Sequence, residues 1–95
     1  MAVAVVLDFA GSTLDQYDQV VKAMGLTPGG KGAPGGLSHW ATKTDDGFRV
    51  TDVWESKEQF EKFAAEHIMP NAMAAGMTSP PTMQFFEVHN YFTAG

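Results

Sequence analysis

The chain has 95 residues, 44% of them hydrophobic, with seven phenylalanines, no cysteine and a formal net charge of −5. That length makes a single domain over 1–95, near the lower end of what buries a comfortable core, and the apolar content excludes a disordered chain. Six basic residues scattered among eleven acids exclude the clustered cationic surface that nucleic acid demands.

Without cysteine there is no disulfide framework, thiolate metal ligand or thiol nucleophile. The longest apolar run, Ala2 to Leu7, falls far short of the roughly 20 residues of a membrane-spanning helix. It also lacks the basic segment and cleavage site of a secretory signal. The expectation is a cytoplasmic protein with no membrane partner.

Ala2 to Phe9 alternates as a strand rich in valine, a residue whose branched side chain suits a pleated surface. Gly11-Ser12 turns the chain, and Ser12 or Thr13 caps a first helix marked by Leu14, Tyr17, Val21 and Met24 and ending at Gly25. Residues 26–36 form a Gly/Pro-rich loop, read as a flexible lid or plain connector. Within it, Gly25-Leu-Thr-Pro-Gly-Gly-Lys-Gly32 fails as a phosphate loop. Its last position lacks the Ser or Thr that holds magnesium, and the segment follows a helix.

Leu37 to Thr44 is a second strand, and Asp45-Asp46-Gly47 turns into a third that ends at Trp54. There the hydrophobic period changes from two to that of a helix, with Phe60, Phe63, Ala64 and Ile68 on one stripe. Ser56 and Gln59 fit a capping box, and Pro70 is expected to kink or stop this helix near Met69. One more turn closes at Gly76, Ser79-Pro80-Pro81 is a rigid connector, and Met83 to Phe92 is the last strand.

The order β-α-β-β-α-β predicts an α+β, ferredoxin-like arrangement: a four-stranded antiparallel sheet with two helices on one face. Sorting by parity assigns Val3, Val5, Leu7, Trp40, Val53, Phe86 and Val88 to the helix-covered face. The opposite face then carries Ala4, Val6, Asp8, His39, Ala41, Val50, Asp52, Trp54, Phe85, Glu87, His89 and Tyr91. That second set is too apolar to face water across a whole sheet, which predicts a homodimer packed sheet to sheet around an enclosed cavity.

Order, size and the segment Asp52-Val-Trp-Glu-Ser-Lys-Glu-Gln-Phe60 resemble the dimeric α+β barrel superfamily, especially the antibiotic biosynthesis monooxygenase-like proteins. The ending Phe85-Phe-Glu-Val-His-Asn-Tyr91 resembles small actinobacterial proteins of that type. The likeness covers the whole chain in topology and about ten residues in motif. It implies a homodimer with one pocket per protomer for small hydrophobic or aromatic molecules. Its members include cofactor-free monooxygenases, haem-degrading enzymes, isomerases and proteins of no assigned activity. Haem-degrading members carry a helical tryptophan and a later histidine, positions that fall near Phe63 and Met73 here, so that branch does not fit.

The candidate catalytic residues are His39, Asp52 and His89, because a carboxylate beside an imidazole orients the ring and raises its basicity. Such a pair in a dry pocket abstracts a proton from an acidic carbon or phenol, as in oxygenation, isomerisation or cyclisation. Trp54, Phe85, Glu87 and Tyr91 are the candidate substrate-binding residues, the aromatics offering flat stacking surfaces. In the expected sheet His39 and His89 lie on opposite edges. No two histidines share ligand spacing on one element, so no metal is expected, and the cofactor-free chemistry that the resemblance implies leaves no other cofactor expected. The alternative is a non-catalytic ligand-binding or accessory protein whose ionisable residues merely satisfy one another.

Overall fold

The computed structural model describes residues 2–27 and 32–92, and its elements follow the anticipated order. They are β1 (Val3–Ala10), α1 (Leu14–Ala23), β2 (Gly36–Thr44), β3 (Gly47–Trp54), α2 (Lys57–Phe63), a π-helical turn (Ala64–Ile68), α3 (Met69–Ala74) and β4 (Thr82–Glu87). The loop expected over 26–36 lies partly outside the described residues, at 28–31.

Local chemistry explains the helix starts. Thr13 caps α1 in a reciprocal box: its side chain accepts from the Gln16 N–H at 3.2 Å, while Gln16 Oε1 accepts from the Thr13 N–H at 2.9 Å. Ser56 caps α2 by accepting from the Gln59 N–H at 3.2 Å. The second half of that box differs, because Gln59 Oε1 accepts from the Ser56 hydroxyl and not from its N–H.

Pro70 does not stop the second helix. The backbone widens into the π turn, where the Met69 N–H reaches back five residues to the Ala64 carbonyl. Pro70 then falls in the first turn of α3, where its missing N–H costs little. Asn71 Nδ2 donates to the His67 carbonyl at 2.7 Å beside it.

The sheet is antiparallel in the order β2-β3-β1-β4. β4 is shorter than the expected Met83–Phe92. It pairs with β1 from Thr82 opposite Asp8 to Glu87 opposite Val3, and just beyond it the Val88 N–H donates to the Ala2 carbonyl at 3.1 Å.

Register corrects the faces. Val5 lies opposite Asp52, Leu7 opposite Val50, and Phe9 opposite Phe48, while His39 lies opposite Asp52 and Phe85 opposite Val5. Directly opposed residues share a face. His39, Ala41, Val50, Asp52, Trp54 and Phe85 are therefore on the same face as Val5 and Leu7, and Trp40, Val53 and Phe86 are on the other. Parity groups residues within a strand but does not say which group of the next strand joins it; a one-residue slip in pairing exchanges the two.

The face carrying Val5, Leu7, Phe9, Phe48, Val50 and Trp54 packs against Val20 of α1 and Phe60, Ala64 and Ala72 of the second helical segment. Val5, Leu7, Phe48 and Phe60 are fully buried. Each contributes roughly 1.5–3 kcal/mol by burial. Phe9 stacks on Phe48, with centroids 4.6 Å apart, just where the chain enters β3. Gly47 begins that strand because a Cβ there would run into the Phe9 carbonyl of β1.

The far face stays open. Trp40 and Phe86 remain 50% and 53% exposed there, and Arg49 Nε donates to Asp8 Oδ1 across β1 and β3 at 2.7 Å. Among the described residues, no helix is long and apolar enough to cross a membrane.

Candidate active site

A hydrogen-bonded chain of four side chains crosses from the sheet to the first helix. At its centre Asp52 is buried, only 5% exposed, in the middle of the β3 ladder. A carboxylate in that position must be met by donors. His39, directly opposite on edge strand β2, brings Nδ1 to 2.5 Å from Oδ1. Trp54, two residues along and so on the same face, donates its indole N–H to Oδ2 at 3.1 Å. Both carboxylate oxygens are thereby occupied.

The chain continues outward. Tyr17, in the second turn of α1, brings its hydroxyl to 2.6 Å from His39 Nε2, with the two rings nearly parallel at 8°. Because an ionised carboxylate only accepts, a neutral His39 carries its proton on Nδ1 and turns the Nε2 lone pair to Tyr17. The Tyr17 hydroxyl therefore donates. Burial, followed by the negative charges of Asp52 and Asp18, raises the Tyr17 pKa above the ordinary tyrosine value and keeps the phenol protonated.

These four residues border a cavity of about 560 Å³ between the sheet and the helices. Leu7, Phe48, Val50, Phe63, Ile68 and Met77 supply apolar wall. The location differs from the expected one: His39 and Asp52 border a space between the sheet and the helices of a single chain. The chemical make-up, an apolar wall with a few convergent polar groups, is that of a small-molecule site.

Of the residues singled out from sequence, His39, Asp52 and Trp54 converge on this cavity. Phe85 shares their sheet face and packs against the same core, edge-on to Phe60 at 5.9 Å and under the Lys57 ammonium at 4.6 Å, but does not border the cavity. Glu87, His89 and Tyr91 stand exposed at and beyond the end of β4, on the opposite side of the sheet order from His39, and do not border the cavity. With β4 ending at Glu87, the last two leave the pleat altogether. Among the described residues, no three histidine, aspartate or glutamate side chains gather into a metal-binding group.

Tyr17 is the member that sequence reasoning missed as a site residue. Its signal was present: a phenol on the core-facing stripe of α1 needs a hydrogen-bond partner once buried.

The four-stranded antiparallel sheet backed by helices on one face is a fold this chain shares with solved oxygenase structures. SnoaB, a cofactor-independent oxygenase from Streptomyces nogalater, superposes with a TM-score of 0.65 at 16% identity over 98% of both chains. The monooxygenase ActVA-Orf6 of Streptomyces coelicolor, solved in complex with nanaomycin D, gives 0.55 at 23% identity over 99% of this chain and 92% of that one. A Deinococcus radiodurans protein assigned to the antibiotic biosynthesis monooxygenases gives 0.61 at 12% identity over 100% and 99%. No family model matches the sequence, and no curated protein matches it either.

Proposed function

We propose that this protein is a cofactor-independent oxygenase of small, flat aromatic molecules bearing an acidic O–H or C–H, acting as a homodimer with one cavity per protomer. The observation that carries this reading is the Asp52–His39–Tyr17 chain ending in an apolar cavity. An imidazole held in one tautomer by a buried carboxylate is a general base whose charged form is stabilised as it forms. The cofactor-independent oxygenase and the nanaomycin D complex among the structural neighbours support the chemistry and the kind of ligand.

In the proposed reaction the substrate loses a proton to the histidine assembly and becomes an electron-rich anion. That anion reduces dioxygen and forms a C–O bond at the same carbon. Protonation of the peroxide, then loss of the carbon's remaining proton as the O–O bond breaks, releases water and leaves a carbonyl, so a CH2 and O2 become C=O and H2O. The homodimer reading rests on the open sheet face, where Trp40 and Phe86 are left half-exposed.

The test is oxygen uptake with anthrone, a flat tricyclic carbon acid, beside a binding titration with nanaomycin D. One O2 consumed per anthrone, with the rate falling about 100-fold or more in His39→Ala, is the expected result. Uptake no faster than in buffer, or unaltered by His39→Ala, would overturn the reading.

A further inference from the structure

Resting on that acid–base reading, we propose that Tyr17, and not His39, is the group that meets the substrate, and that it relays the proton inward. The substrate's proton passes to the Tyr17 hydroxyl oxygen as Tyr17's own proton moves to His39 Nε2. The products of this step are a substrate anion, a neutral tyrosine and an imidazolium resting against the Asp52 carboxylate.

Hydrogen-bond directions carry the argument. Asp52 accepts at both oxygens, so His39 donates from Nδ1 and has one lone pair left, at Nε2. That lone pair is taken by the Tyr17 hydroxyl at 2.6 Å. A substrate proton reaches His39 either by displacing Tyr17 or by passing through it.

Displacement is opposed by how Tyr17 is held. Its backbone N–H donates to the Thr13 carbonyl in the capped first turn of α1, and its ring packs on Phe48 at 5.4 Å. Passage through is open, because a phenol oxygen that donates its one proton still has lone pairs, and Tyr17 borders the cavity. The phenol, kept protonated by burial and by the charges of Asp52 and Asp18, is not a standing phenolate. It acts as a base only while handing on its own proton.

Anaerobic exchange of the acidic C–H of anthrone for deuterium from D2O reads proton abstraction without any oxygen chemistry. Tyr17→Phe is expected to slow exchange about 100-fold while anthrone still quenches tryptophan fluorescence with the wild-type dissociation constant. His39→Gln is expected to slow it similarly, and the double variant no further, because the pair acts as a unit. Exchange in Tyr17→Phe as fast as wild type, or additive losses, would show that Tyr17 only packs beside the base and would overturn the proposal.

One measurement needs no variant. Wild-type exchange rates in H2O–D2O mixtures bow downward if two protons move together and fall on a line if one does; a line overturns the relay. Exchange without oxygen uptake leaves the relay standing and removes the oxygenase. Oxygen uptake without exchange does the reverse.

Discussion

His39 and Asp52 face each other directly across the β2–β3 ladder, with Nδ1 2.5 Å from Oδ1, so the pair is a product of strand register. Because His39 is on an edge strand and Asp52 is buried, one end of the pair is dry and the other reaches Tyr17 and the cavity. The pairing gives His39 one defined tautomer.

Asp52→Asn keeps the shape and removes the charge. An amide accepts on one atom only, so it cannot receive both the His39 and Trp54 donors. Oxygen uptake with anthrone is expected to fall about 100-fold or more, with binding of nanaomycin D little altered. The imidazole nitrogen resonances of His39 are expected to show a mixture of tautomers where wild type shows one.

Trp54→Phe retains an aromatic ring beside Phe60 and Phe63, whose centroids lie 5.7 and 5.3 Å away, but removes the donor to Asp52 Oδ2. Leaving a buried carboxylate oxygen unpaired is expected to cost about 1–3 kcal/mol. A lower urea midpoint at an unchanged slope is the result to look for; an unchanged midpoint would mean that the indole N–H adds nothing.

The Tyr17 pKa is raised in the folded protein above its ordinary value of 10.0, first by burial, then by Asp52 and Asp18. Between the unfolded and folded values the unfolded chain has lost this proton and the native one keeps it. Stability is therefore fully present below pH 10.0 and is lost as pH rises through the folded value. Urea unfolding on both sides of this window should show the loss in wild type and a smaller one in Tyr17→Phe.

Trp40→Glu places a charge on the open sheet face, at edge strand β2. If that face joins two copies, sedimentation is expected to show a wild-type dimer and a Trp40→Glu monomer. The cavity is on the other side of the sheet, so nanaomycin D binding should survive dissociation. A wild-type monomer would remove the homodimer from the proposed function.

Much of this protein is written locally. Thr13 with Gln16 and Ser56 before Gln59 mark the helix starts, and the Asp45-Asp46 turn leads into a glycine that fits against Phe9. The change of period after Trp54 marks strand giving way to helix, and of the residues singled out from sequence His39, Asp52 and Trp54 border the cavity while His89 does not. These are short-range signals of caps, turns and alternation, decided by neighbours within a few residues.

What only the tertiary structure decided is which way those residues face and whom they meet. Val5 opposite Asp52 puts the His39–Asp52 pair under the helices and leaves Trp40 and Phe86 outside. Tyr17 enters the site from an element more than twenty residues away from His39, and His89 lies past the end of β4 at Glu87, away from the cavity. Alternation within a strand is unchanged when the whole strand is turned over, so sequence period carries no information about the side of the sheet. Pairing between distant strands, and the docking of α1 across them, supplies it.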